Sequence, residues 1–252
     1  MRLWRAGILV LVAITAAGCT ADPPPSPVAS LLLFTKTAGY RHDSIADGIA
    51  ALTVVAAGAR LRVDATEDAS VFTDEGLHGY AALVFLDTTG AVLDADQRAA
   101  MERYVHGGGG FVGIHAAADG DPAWPWYAAL IGAGFRGHPP LQAGRLEVVD
   151  RAHPVTADLP GTWERTDEWY DFTTNPRDHV RVLVTVDESS YDGGQMGADH
   201  PLAWCQEFDG ARAFYTAMGH TSESFQEPAF LAHLLGGLRW AAGLAAADCA
   251  AR

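Results

Sequence analysis

The chain has 252 residues, 49% of them hydrophobic and 19% charged, with 31 acidic against 17 basic side chains and a formal charge of −14. That is enough apolar material for a sizeable core, and it excludes a disordered chain, a collagen-like repeat and a disulfide-dense miniprotein. The acidic balance argues against a nucleic-acid backbone binder, and acids on a protein surface often serve only solubility.

The first residues read as an address. Arg2 and Arg5 precede an apolar stretch from Ala6 to Ala17, which is too short for a stable membrane-spanning helix. Small residues Ala16-Ala17-Gly18 then lead into Cys19, the pattern of a signal peptide over residues 1–18 with a lipidated cysteine after it. This resembles the lipobox of bacterial lipoproteins, with Ala16 where Leu is more usual. The expectation is an exported protein held by a lipid at Cys19 on the outer face of the cell membrane, or a fully secreted one. Residues 19–30 contain a Pro-rich run and read as an extended tether. Cys205 and Cys249 either pair as a disulfide in that oxidising setting or stay as buried thiols.

Ser30 to Thr35 is a short apolar run, hence a buried strand. Asp43 or Ser44 can cap a helix to about Ala57, with Ile45, Ile49, Leu52 and Val55 on one face. Leu61 to Val63 and Ala82 to Leu86 follow as strands. Asp94 to His106 is a helix opened by a capping box of Asp94 and Gln97 and closed by the glycines from Gly107. Phe111 to Ile114 is a fourth strand. This βαβ rhythm predicts an α/β fold with a mostly parallel sheet and helices on both faces. The second half is richer in strands: Arg145 to Val149, Val180 to Val186, Leu202 to Phe208 and Ala211 to Tyr215. Pro228 to Ala242 is the last helix. One domain over residues 31–245, with a short tail at 246–252, is the simplest organisation.

Ligands of such sheets bind at the carboxyl ends of the strands. Three predicted strand ends deliver His42, His115 and His220 there. His115 is the sharpest position, because a Gly-rich turn and a tight strand place it as a nucleophile elbow places its reactive residue. An imidazole there suits a base, an acid or a metal ligand. Glu168, in the run Asp167 to Asp171, suits general acid/base work, while Tyr40, Trp169 and Tyr170 can meet a sugar face. His138 is a ligand, a sugar contact or a loop-fixing residue. Trp124, Trp126 and Tyr127 suit a core staple better than a platform. His153 reads as structural, and His200 lies either at the rim or at the far end of its strand. Residues 192–199 read as a mobile loop.

Several runs carry a family resemblance. Thr35-Lys-Thr-Ala-Gly-Tyr-Arg-His-Asp-Ser44, Gly108-Gly-Gly-Phe-Val-Gly-Ile-His-Ala-Ala117 and Gly137-His-Pro139 are similar to motifs of the ThuA-like family. So are Asp167-Glu-Trp-Tyr170, His200-Pro-Leu-Ala-Trp204 and Phe214-Tyr-Thr-Ala-Met-Gly-His-Thr-Ser-Glu223. The resemblance spans Leu31 to Gly243. It implies a flavodoxin-like three-layer fold of the class I glutamine amidotransferase type, and a role in the use of trehalose, related disaccharides and 3-keto-sugars. His115 stands where an amidotransferase has its nucleophilic Cys, so amidotransfer from glutamine is not expected. His220 and Glu223 sit much as that family's His and Glu do. The expected site is catalytic at His115, His220, Glu168 and His42, with Tyr40, Trp169, Tyr170, His138 and Glu223 around the substrate. A divalent metal such as Zn²⁺ on His42, His115 and His220 suits the same residues. The competing expectation is a sugar-binding module without turnover.

Overall fold

The computed structural model describes residues 29–251. The signal-like segment, Cys19 and the chain up to Val28 lie outside the described residues. The chain runs β1 (Ala29–Phe34), α1 (Ile45–Gly58), β2 (Leu61–Thr66), the single-turn α2 (Asp74–Leu77), β3 (Tyr80–Leu86), α3 (Ala95–His106), β4 (Gly110–Ile114) and α4 (Pro125–Ile131). It continues through β5 (Phe135–Gly137), β6 (Gln142–Val148), β7 (Thr162–Asp167), β8 (Asp171–Phe172), β9 (Arg181–Asp187), β10 (Pro201–Phe208), β11 (Ala211–Thr216) and α5 (Pro228–Ala241). The expected tether ends earlier than Ser30, since Ala29 and Ser30 already pair with Leu61 and Arg62.

Nine strands form one sheet in the order β2-β1-β3-β4-β11-β10-β9-β6-β7, and β5 pairs with β8 beside it. From β2 to β11 all neighbours are parallel. From β11 to β7 they alternate. Hence β2, β1, β3, β4, β11, β9 and β7 share one direction, and only β10 and β6 oppose it. The carboxyl ends of β1, β3, β4, β11 and β7 therefore open on the same rim.

The apolar runs that announce β1, β3 and β4 follow from cover on both faces. On one face Phe111 of β4 meets Tyr127 of α4, with ring centroids 6.0 Å apart. On the other, Phe214 of β11 packs on His233 of α5 at 5.2 Å. The α3 capping box forms as read, with Asp94 Oδ1 and Gln97 Oε1 each accepting a backbone N–H at 3.0 Å. Ser44 is the residue before α1, but its hydroxyl does not cap the helix; it donates to Asp87 Oδ2 at 3.2 Å.

The antiparallel half curls back over the rim. Asp167, the last residue of β7, is four strands away from β11 in the sheet. Its carboxylate nevertheless accepts the N–H groups of Gly219 and His220 at 3.0 and 3.1 Å. Cys205 and Cys249 are disulfide-bonded, which fastens the tail after α5 to β10. Residues 192–199 are tied down rather than mobile: the Gln195 and Met196 N–H groups donate to Asp171 and Glu188, and Asp199 pairs with Arg177.

Candidate functional site

Each site residue follows a strand for a stated reason. His42 sits in the connection from β1 to α1, and Thr89 fixes that connection by accepting from Gly39 N–H and donating to the Tyr40 carbonyl. His115 follows β4 with φ +50°, and Asp87 follows the adjacent β3 with φ +51°. Left-handed backbone at two neighbouring non-glycine residues is a local strain that the surrounding packing must hold. Glu168 follows β7. His220 follows β11 through Gly219, whose φ of +126° is open only to glycine.

These four residues converge. Ligand atoms of His42, His115, Glu168 and His220 all lie within 4.8 Å of one another. The His220 Nδ1 atom is 3.0 Å from Glu168 Oε2 and 3.3 Å from His115 Nε2. The His115 Nε2 atom is 3.5 Å from the same carboxylate oxygen. The ring of His42 stands edge-on to those of His115 and His220 at 4.9 and 5.1 Å.

The tautomer of His115 is set from behind. Its Nδ1–H donates to the Ala217 carbonyl at 2.7 Å, so Nε2 carries the lone pair in the neutral ring. The Tyr170 hydroxyl donates to that atom at 3.0 Å. His42 is 5% exposed, and its Nδ1 is buried without a hydrogen-bond partner.

Electrostatics separate the roles of these groups. Burial, followed by the neighbouring imidazoles His115 and His220, lowers the His42 pKa to about 3, so its ring is neutral. Burial opposes charge on His115, yet the Glu168 carboxylate, with Asp87 and Asp167 behind, carries its pKa above the ordinary value. Burial likewise opposes charge on Glu168, but hydrogen bonds from His115 and His220 outweigh it and hold the carboxyl well below its usual range. Asp87, wholly buried, is pushed up to about 6 by desolvation.

A cleft of about 390 Å³ opens over the cluster, with Tyr40, Thr89, Asp119, Phe135, His138 and Glu168 in its wall. Tyr40 is 65% exposed on its lip. His138 Nδ1 comes within 3.5 Å of Glu168 Oε1 and also bonds the Pro139 carbonyl. Tyr170 is buried but reaches the cleft with its ring. His115 lies behind the wall, fully buried, and meets the cleft through His42, Tyr170, Glu168 and His220.

Two expected substrate contacts are corrected. Trp169 is 0% exposed and packs under Gly144 and beside Tyr191, on the opposite side of the chain from Tyr170, so it shows no face to a solute. Glu223 turns away into a separate groove with Leu141, Glu164 and Thr166. It therefore does not pair with His220 as the amidotransferase comparison implied. His200, left open between two ends, lies at the site rim because β10 runs against its neighbours. It stands behind Tyr170, donating Nε2–H to that residue's carbonyl at 2.8 Å. Trp124 and Tyr127 stack in the core as the blander reading held.

Sequence reasoning passed over Asp167 and Asp87. Both are fully buried carboxylates at strand ends that organise the cluster. For Asp87 the signal is an acid placed directly after an apolar strand. Asp167 gives none, because β7 is not apolar on its inner face.

The fold matches known structures. A ThuA-like protein from Bacteroides uniformis is 27% identical, with a TM-score of 0.74 over 89% of this chain and 95% of that one. A second, from Parabacteroides merdae, is 23% identical with a TM-score of 0.73, over 89% and 97%. The β-galactosidase of Bacillus circulans sp. alkalophilus shares the fold at 13% identity and a TM-score of 0.54, over 86% of this chain and 31% of that enzyme. No curated protein matches the chain. The model of the ThuA family, described as trehalose utilisation, matches residues 30–241, and the chain belongs to that family.

Proposed function

We propose that the protein is an exported enzyme of carbohydrate use, acting on a disaccharide, a glycoside or a 3-keto-sugar at the His42–His115–Glu168–His220 cluster. The observation that carries this is the convergence of three imidazoles and a carboxylate from four separate strand ends beneath an open cleft. Building such a cluster costs backbone strain at His115 and buries Asp87 without full hydrogen bonding, and neither serves packing.

The donor set suits a divalent ion such as Zn²⁺, and the buried, unpartnered Nδ1 of His42 fits a ligand atom. His42, His115 and His220 would hold it with Glu168 beside them, and when bound it would polarise a substrate oxygen or a water. The protein's own groups do the rest. Glu168 and His220 face the cleft and meet the substrate. When Nε2 of His115 is not ligating an ion, that atom supplies and recovers a proton, passing it through the Tyr170 hydroxyl or the Glu168 carboxylate. Asp167 holds the backbone of both Glu168 and His220 in place. An imidazole base suits removal of a proton beside a ketone when the enolate oxygen is stabilised.

Export belongs to the same proposal, with lipidation at Cys19 as the anchor. The Cys205–Cys249 disulfide supports an oxidising compartment. The second reading, a tethered sugar-binding module, draws on the exposed Tyr40 ring at the cleft lip.

The test is elemental analysis of the purified protein, then a screen of disaccharides and their 3-keto forms. Glu168→Gln and His220→Ala abolish turnover if the cluster is catalytic, while Tyr40→Ala weakens binding alone. Unchanged turnover in both cluster variants overturns the enzymatic reading.

A further inference from the structure

A second cluster of ligating groups lies behind Tyr170, outside the cleft wall. Asp171 opens β8, Glu188 follows β9 and His200 precedes β10, so the turn between β9 and β10 brings the last two together. Their ligand atoms all lie within 4.8 Å of one another. Asp171 is 1% exposed and His200 0%, and the Glu188 side chain is 17% exposed.

Each of the three is already aimed. His200 donates Nε2–H to the Tyr170 carbonyl, which leaves the Nδ1 lone pair toward the carboxylates and the Tyr191 hydroxyl in the neutral ring. That is the usual second bond of a metal-ligating histidine. Asp171 Oδ1 accepts from Gln195 N–H at 2.8 Å, and Glu188 Oε1 accepts from Met196 N–H at 2.7 Å. The loop that supplies both donors passes so close that a Cβ on Gly194 would collide with the Tyr191 hydroxyl and the Glu188 carboxylate.

Glu188 Oε1 faces His200 Nδ1 at 2.9 Å, and the Tyr191 hydroxyl, also 2.9 Å from that nitrogen, donates to it in the neutral ring, so the histidine is satisfied while the two carboxylates stay side by side. Among the described residues, neither Asp171 nor Glu188 forms an ion pair with Lys or Arg within 4.0 Å. Two nearly buried carboxylates thus lie together with no Lys or Arg to offset them, which a bound cation would do.

We propose that Asp171, Glu188 and His200 form a structural divalent-cation site that fixes the 192–199 loop and, through the Tyr170 backbone, the back of the reacting cluster. Two carboxylates and an imidazole suit Zn²⁺ or Mn²⁺ over Mg²⁺.

The experiment separates this site from the first. The probe is Zn²⁺ alone, added to the full chain stripped with chelator. It is added to the wild type, to His42→Ala/His220→Ala, which disables the cleft cluster, and to the same background with Glu188→Gln or Asp171→Asn. Expected are one bound equivalent in the cleft-disabled protein and a rise in Tm of about 5–10 °C at a hundredfold excess over the dissociation constant. Glu188→Gln and Asp171→Asn each remove both. The isosteric amides keep the backbone hydrogen bonds, and circular dichroism establishes that they fold. No bound equivalent and no shift in the cleft-disabled protein overturns the site, as does a shift that survives both amide variants. Neither result bears on turnover at the cleft.

Discussion

Asp167→Asn tests how the site is held together. The carboxylate is fully buried. It accepts from the N–H groups of Glu168, Gly219 and His220 and lies 3.0 Å from the Arg165 guanidinium, itself almost wholly buried. The amide keeps the shape but turns one acceptor into a donor, which then faces the Gly219 N–H and Arg165. It also removes the close charge partner of Arg165. The remaining carboxylate, Glu227, is 3.6 Å away, and the guanidinium otherwise meets the Met218 sulfur, the Ser224 hydroxyl and the faces of Trp163 and Phe230. Leaving a buried charge without its partner costs about 3–5 kcal/mol. For a domain of this size that lowers Tm by about 6–20 °C. The loss is read by calorimetry or by circular dichroism melting. Arg165→Met/Asp167→Asn should recover part of it, since the stranded charge is gone. A single variant melting within 2 °C of the wild type, with the cluster still active, would refute the idea that this carboxylate pins the curled half of the sheet to the rim.

Three further outcomes follow from the same structure. Gly219→Ala forces a Cβ onto a φ of +126° and within 3.3 Å of Ile114, so it should cost about 1–3 kcal/mol and displace His220; equal melting and equal turnover would contradict this. Reduction, or Cys249→Ser, opens a link between residues 44 apart, which chain-entropy scaling puts at about 4 kcal/mol, and reductant should do nothing more to the variant. Burial lowers the His233 pKa to about 3, partly opposed by its bond to the Val155 carbonyl. Between pH 6.5 and about 3 the unfolded chain therefore binds a proton that the folded one refuses, and stability falls with pH by about 1.4 kcal/mol per unit. Urea melts at pH 7, 6 and 5 should show a shallower acid slope in His233→Leu; an unchanged slope would exclude His233 as a source.

The parallel half of the fold was legible because β1, β3 and β4 are covered on both faces and so are continuously apolar. The edge strand β7 was not. Its inward positions are Trp163, Arg165 and Asp167, two of them charged, so no hydrophobic alternation marks it. The histidines of the site could be read from strand ends, which the topology sends to one rim. The adjacent aromatics could not: Trp169 and Tyr170 look alike in sequence, but the backbone between β7 and β8 sends one into the core and the other to His115. Glu223 failed for a related reason, since the turn after His220 points it past Ser224 toward the outer groove rather than back to the imidazole.

Strand direction also decides how the molecule faces its surroundings. β1 begins at the base of the sheet, opposite the end where His42 follows it. The tail after α5 returns to that base, where Arg212 and Arg181 near the starts of β11 and β9 bond the Ala245 and Asp248 carbonyls. Both ends of the described chain therefore leave from the underside. A support bead or a fusion partner joined directly at Ala29 or Ala251 would sit on the side of the molecule away from the mouth of the cleft.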